Sequence, residues 1–360
     1  MTADDPLARL AGSLRVRPGQ RPALIGGRPP LAGRLLRGQP AQAAVQRLPL
    51  LYSLCGQAHR LTAELALRAA VEGDVEPSGE ARRILQGENR REHLRHILLD
   101  WPRLLADVAR DTSMSPPGLD MQIDAWFEGS AADWLQHWHA DPRQALLDWS
   151  ARGRHAVARL LHGCRERAEA LLLPLDALPN DRASLLAIGA SLAEREDFLS
   201  TPELTGAPRE TGAWSRAGDT GAQRYDSAWL RLGARLADLV ELSQAQPRAL
   251  ALGAITLGDG QALAWSETAR GLLLHRVDLD LTAEDQRIYD YQVLAPTEWN
   301  LHPRGTLARA LEALPDDGNA QRQAELLLAV FDPCLAYQLE SPATRQPDHP
   351  ANDSGAPRYA

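Results

Sequence analysis

Between residues 41 and 200 the apolar positions recur at helical spacing. AHRLTAELALRAAV (58–71), ENRREHLRHILLDWPRLLADVAR (88–110), DPRQALLDWS (141–150), ARGRHAVARLLHGCRERAEALLL (151–173) and DRASLLAIGASLAERE (181–196) each repeat Leu, Ala, Val or Trp every three or four residues, and Pro, Gly, Asp or Ser separates them. This predicts a bundle of helices. Residues 1–40 read differently: they are rich in Gly, Pro and Arg, and the short apolar stretches SLRVRP and PALIGG suit strands and turns.

After the bundle the polar, Gly/Pro-rich stretch 201–226 reads either as a long ordered loop or as a flexible one. DSAWLRLGARLADLVELSQ (226–244) then reads as a helix with Asp226 or Ser227 as N-cap. Residues 252–294 suit strands, with a hairpin turn at Gly258-Asp259-Gly260, and LLLHRVDLDL and DYQVLAP alternate in part. Two short helices are predicted near LARALEAL (307–314) and NAQRQAELLLAV (319–330). The Pro-rich polar tail 341–360 is expected to be disordered. No internal repeat is evident. The fold class expected is α+β, predominantly helical, with a central helical bundle and peripheral short strands. Residues 1–340 are read as a single domain with a strand and turn region (1–40), a mainly helical region (41–248) and a mixed region (252–340).

At 360 residues, 44% hydrophobic and 24% charged, the chain is long enough for a large core. A formal net charge of −8 gives no reason to expect nucleic acid or an anionic membrane surface as partner. Every basic residue is Arg, and no function attaches to that. The N-terminal MTADDPLARLAGS has no charged-then-apolar signal, and runs such as ELLLAVF are too short to span a bilayer, so no direct membrane insertion is expected. Three cysteines do not make a disulfide framework; the wide separation of Cys55 from Cys334 suits a folded metal or redox site in a reducing cytoplasm.

Those two cysteines lie in LLYSLCGQAHR (50–60) and FDPCLAYQLE (331–340), each similar to a metal-binding Cys-x-x-Cys turn with one cysteine absent. The first resembles the RxCGxCxxxH motif of nickel-iron hydrogenase large subunits, with Cys55 and His59 matching and Tyr52 at the other cysteine. The second resembles that family's DPCxxCxxH, with Asp332, Pro333 and Cys334 matching, Tyr337 at the second cysteine and Glu340 at the histidine. Collinear segments agree: Glu210–Arg216 (ETGAWSR) resembles ETGPLAR, Glu267–His275 (ETARGLLLH) resembles EAPRGxLxH, and APTEWN (295–300) with Pro303-Arg304 resembles APTTWNxxPR. Arg9-Leu-Ala11-Gly12 and His93…His96 are weaker echoes of RxEG and HxxH. The chain is most similar to a shortened group within that family, the hydrogenase maturation proteins of the HupK/HoxV type, regarded as scaffolds in active-site assembly.

The resemblance implies a large-subunit-like fold and a non-catalytic role, in which iron carrying cyanide and carbon monoxide is held transiently by Cys55 and Cys334 and passed to the large-subunit precursor. By the same resemblance Arg270 and Thr297 would face the cyanides, with His59, Tyr52 and Tyr337 as supporting residues. Replacing Arg270 would then weaken retention of the fragment without unfolding the chain. Tyrosines at two thiolate positions disfavour nickel, Ala11 stands at the proton-relay acid, and Gly33 and Glu340 stand at magnesium ligands. Implied partners are the precursor, a HypC-type chaperone and a HypD-type iron carrier.

Apart from any resemblance, Cys55 immediately precedes a helical pattern, so a helix N-terminus would favour its thiolate, and His59 would lie about one turn further along the same face. Read alone, Cys55 and His59 suit ordinary core positions, and Cys164 reads as structural. The alternatives are a metal-free mimic of the large subunit that docks accessory proteins, a relative of complex I type quinone-oxidoreductase subunits, and an active hydrogenase with unusual ligands.

Overall fold

A computed structural model of the chain describes residues 12–106, 123–127, 129–216, 224–282, 285–315 and 317–340. The expected disorder of 341–360, and Arg9 and Ala11, lie outside the described residues. The helical pattern of 41–200 is realised as helices Ala43–Leu51, Gly56–Glu72, Gly79–Arg95, Ala131–Ala140, Pro142–Arg152, Ala156–Ala170 and Arg182–Glu194. Local chemistry sets their starts. Ser130 accepts from the Asp133 amide and Asp141 from the Gln144 amide, satisfying N–H groups that have no partner inside the helix. Among described residues no helix is long and apolar enough to cross a membrane.

Helix Ala228–Glu241 runs through the middle, and every residue from Ala228 to Val240 is buried. Ser227, one of the two candidate caps, accepts from the Leu230 amide. Three of the helix's buried side chains are charged, and each finds partners. Arg231 makes a two-pronged pair with Glu210 at 2.8 Å for both contacts, Arg235 reaches Asp332 at 3.2 Å, and Asp238 receives His93 at 2.6 Å and Arg216. The path of residues 201–216 follows from this, because Glu210 is anchored in the interior.

Strands β1 (Ser13–Val16) and β2 (Leu24–Gly27) form where expected, but Leu31–Leu36, after two prolines, turns into a short helix. A small hairpin pairs β3 (Glu203–Leu204) with β4 (Ala207–Pro208). Strands β5 (Leu252–Gly258), β6 (Gln261–Thr268), β7 (Gly271–Asp280) and β8 (Arg287–Leu294) form an antiparallel meander in that order. The near-continuous apolar run of β7 has a simple cause: both faces are covered. Leu273, Val277 and Leu279 pack with helix Gly56–Glu72, while Leu272 and Leu274 face helix Arg182–Glu194 and Trp299. The last strand, β9 (Ala336–Leu339), pairs parallel to β1, which is antiparallel to β2.

Helix Gly56–Glu72 is pinned to the meander by a polar chain through the apolar interface. Nδ1 of His59 meets Nε2 of His275 at 3.0 Å, and Nδ1 of His275 meets the Tyr291 hydroxyl at 2.8 Å. Burial holds His275 down at about 3; burial, then His275 and Arg28, keep His59 well below its usual range. Both titrate near 6.5 in an unfolded chain, so at lower pH the unfolded chain binds protons that the folded one refuses. Stability is therefore full above about pH 6.5 and is lost as pH falls, by roughly 1.4 kcal/mol per pH unit for each histidine kept neutral. Urea denaturation should give a lower midpoint at pH 5 than at pH 7.5, and His275→Gln should flatten that dependence. An equally steep dependence in the variant would show that the pair does not carry the acid sensitivity.

Candidate metal site

The β2–β1–β9 sheet brings the two ends of the chain to one place. Ser13 pairs with Gly27 on one side and with Ala336 on the other, so the residue after β2 lies near the residues before β9. Gly12, at φ +78°, makes this possible: a Cβ there would lie 2.6 Å from the Gly27 carbonyl oxygen and 2.7 Å from the Arg28 Cα. Arg28 donates from Nη2 to the Cys334 carbonyl at 2.5 Å and to the Cys334 sulfur at 3.2 Å. Its guanidinium carbon sits 5.1 Å from the centre of the Tyr52 ring. Burial works against its charge, but Cys334 and Glu298 outweigh burial and raise the Arg28 pKa.

Cys334 is presented by a turn in which helix Ala320–Phe331 ends on Asp332 in the left-handed region (φ 43°). The Thr297 hydroxyl lies 2.8 Å from the Cys334 sulfur and accepts the Cys334 amide at 3.4 Å. Cys55 lies at the N-cap of helix Gly56–Glu72. Both cysteines are free and line, with Arg28 and Tyr52, one cavity of about 200 Å³. Two cysteines lining one space offer sulfur ligands of the kind a soft metal ion takes, with the Arg28 guanidinium beside them as a fixed positive charge.

The expectation of a helix-favoured Cys55 thiolate does not hold. The first free amides of that helix, those of Gln57 and Ala58, donate to the Glu88 carboxylate at 2.8 Å each. Burial, then the neighbouring Cys334, push the Cys55 thiol far up, so without a bound cation it is neutral. His59 also differs from expectation. Cys55 precedes the helix with φ −136°, helical spacing does not carry across that residue, and His59 faces the sheet. Its Nε2 has no hydrogen-bond partner among the described residues, and its ring stacks on Tyr52 at 4.1 Å and 7°.

The tyrosines part company. Tyr52 lines the cavity that both cysteines border, whereas Tyr337, on β9, lines a second cavity of about 340 Å³ that Cys334 borders together with Arg95, His96, Arg103 and Arg270. Glu340 pairs with Arg15 of β1 and with Arg17 just after it, at 3.6 Å each. Glu298 accepts the Ala295 amide at 2.9 Å, closing the first turn of helix Pro296–Asn300. His96, Asp100 and Asp332 place ligand atoms within 4.8 Å of one another. Arg95 already pairs with Asp100 at 2.9 Å, and Arg235 and Arg270 with Asp332 at 3.2 and 3.1 Å, so the cluster is a neutralised ion-pair network.

The collinear segments interlock with one another. Asn300 accepts the Thr211 amide at 2.9 Å and donates to the Thr211 carbonyl at 2.8 Å, while the Thr211 hydroxyl accepts the Leu272 amide at 2.9 Å. Gly271, at φ +129°, leaves room for Thr211, whose side chain a Cβ would meet at 2.5 Å. Arg28 is the neighbour of the cysteines that sequence reasoning missed. The run LIGGRPP carries no motif, and only the pairing of the first and last strands reveals its place.

The chain is 40% identical over 366 aligned positions to the hydrogenase expression/formation protein HoxV of Cupriavidus necator, covering 92% of this chain and 96% of that protein. It is 31% identical to HupK of Azotobacter vinelandii, over 86% of this chain and 91% of that one. The HupK of Bradyrhizobium diazoefficiens is 29% identical over 87% and 90%. No family model matches. Among solved structures, the Ni-Fe-Se hydrogenase of D. vulgaris Hildenborough aligns with TM-score 0.52 and 17% identity over 86% of this chain and 92% of that one. A NAD+-reducing [NiFe]-hydrogenase aligns with TM-score 0.51 and 16% identity over 86% and 91%. The fold is that of a nickel-iron hydrogenase large subunit.

Arg270 is more deeply committed to the fold than expected. Its Nε donates to the Asp332 carbonyl at 3.1 Å and pairs with the Asp332 carboxylate at 3.1 Å, while Nη1 pairs with Glu92 at 3.2 Å. Removing one partner of such a buried pair costs roughly 3–5 kcal/mol. Arg270→Leu should therefore lower the unfolding free energy by about that amount in chemical denaturation, with Arg270→Lys between it and the native chain. A loss below about 1 kcal/mol in Arg270→Leu would show that Arg235 and His96 suffice for Asp332.

Proposed function

The chain belongs to the HupK/HoxV family of hydrogenase expression/formation proteins, and from that premise we propose that it is a non-catalytic scaffold in assembly of the hydrogenase active site. Hydrogenase maturation is the role that the family's names carry. In our reading Cys55 and Cys334 transiently hold iron bearing cyanide and carbon monoxide, and the large-subunit precursor receives it. The observation that carries this is the convergence of two free cysteines, from segments near opposite ends of the sequence, on one cavity.

The iron fragment is cargo, and the protein's part is to bind and release it. As each S–Fe bond forms, the thiol gives up its proton to solvent or to a base on the delivering partner. Because burial favours the neutral Cys55 thiol, proton return assists the reverse step. Two thiolates hold iron less firmly than four, which suits handover. The Thr297 hydroxyl, 2.8 Å from the Cys334 sulfur, fixes its orientation. Tyr52 supplies a ring where a soft thiolate would be needed, so nickel is not expected as cargo. The partners in this reading are the precursor, a HypC-type chaperone and a HypD-type iron carrier, in a reducing cytoplasm where the thiols stay free.

The neutral Cys55 thiol also favours a second reading, a metal-free mimic of the large subunit that docks accessory proteins. Infrared spectra of protein isolated anaerobically from hydrogenase-producing cells decide between them. Cyanide and carbonyl bands are expected from the native chain, and their absence from intact, reduced protein would leave the mimic. Cys55→Ala and Cys334→Ala should each lose the bands and impair hydrogenase maturation. Cys164→Ala should keep them, since Cys164 is buried in helix Ala156–Ala170 and its thiol faces the Leu161 carbonyl at 3.6 Å. Equal loss in all three would indicate general destabilisation.

A further inference from the structure

Arg28 is not a surface arginine that happens to lie near a sulfur. Its backbone is fixed by the β2–β1 pairing and by Gly12, and its Nη2 is shared between the carbonyl and sulfur of Cys334 at 2.5 and 3.2 Å. Its guanidinium rests on Tyr52, which in turn stacks on the buried ring of His59. Burial pushes the Tyr52 phenol far up, so the ring meets Arg28 as a neutral surface and not as an anionic ligand. The result is a permanent positive charge, within hydrogen-bond distance of one thiol, in the cavity that holds both. A metal ion held by Cys55 and Cys334 would meet a Cys334 sulfur that Arg28 already contacts at 3.2 Å and Thr297 at 2.8 Å. A further cation on the Arg28 side would have to displace the guanidinium or face it in a poorly hydrated space, where like charges repel strongly.

Resting on the reading that the two cysteines bind a metal ion, we propose that the Arg28 guanidinium is a resident cation that occupies, by charge and by volume, the place of a second ion beside Cys334, so that the site takes up one divalent metal and refuses another.

Cobalt(II) titration of the reduced, intact chain under anaerobic conditions tests this, because the thiolate-to-cobalt absorption reports only ions bound by sulfur. The native chain and Arg28→Lys should saturate at one equivalent. Arg28→Gln and Arg28→Met, which remove the charge, should take up a second equivalent with at least tenfold tighter affinity than the native chain shows for one. Cys334→Ala in the Arg28→Gln background should abolish that second equivalent. Two variants guard against a folding failure in either, and circular dichroism confirms that the chain compared is folded. One equivalent in both neutral variants, or two in the native chain, overturns the resident-cation proposal and leaves the scaffold reading intact. No thiolate-bound cobalt in the native chain overturns both.

Discussion

Two guanidinium groups and an imidazole converge on the carboxylate of Asp332, and none of them comes from its own helix. Arg270 approaches from the start of β7 at 3.1 Å, Arg235 from the buried central helix at 3.2 Å, and His96 from the turn after helix Gly79–Arg95 at 3.3 Å. Burial alone would raise this carboxyl group, but Arg270, His96 and Arg235 hold it well below the usual carboxylate range. An unpaired charge at such depth costs several kcal/mol, so the turn that carries Cys334 closes only when all three elements are in place. Asp332 thereby sets the position of a sulfur two residues away that it does not touch. Tertiary ionic packing also overcomes the strain of its left-handed backbone, which is unfavourable for a residue other than glycine.

The hydrogenase-like segments serve this architecture as well as any chemistry. Glu210 neutralises Arg231 in the interior, Thr211 and Asn300 tie two loops together, and Gly271 gives Thr211 its space. These contacts are inside the fold and are needed for its packing whatever the site does. Two positions in the last motif serve otherwise: Glu340 pairs with Arg15 and Arg17, and Tyr337 lines a cavity that Cys334 and Arg270 border but Cys55 does not.

Periodicity made the helices legible because each buries one stripe, and alternation made β7 legible even with both faces covered. The short segments around Cys55 and Cys334 were legible as a pair, and they do meet. What failed were inferences that carried local geometry past a break. Helical spacing from Cys55 to His59 misled because Cys55 lies before the helix begins, and the dipole argument misled because Glu88, from the next helix, takes the free amides. Arg28 was invisible for a different reason. Its role depends on which strands pair across the whole chain, and a run such as LIGGRPP carries no trace of that choice.

The parallel pairing of β1 with β9 has a bearing on the order of events as the chain is made. Arg28 and Cys334 are separated by 306 positions, so their contact closes one of the longest loops the sequence allows, and loops of that span close late because their entropy must be offset by structure already formed. A nascent chain on the ribosome exposes Arg28 and Cys55 early, together with β1 and β2, but it lacks β9 and the turn that supplies the second cysteine. The topology thus acts as a checkpoint: the cysteine pair is assembled only after synthesis has passed the last strand, when nearly all of the surrounding core is present to hold it.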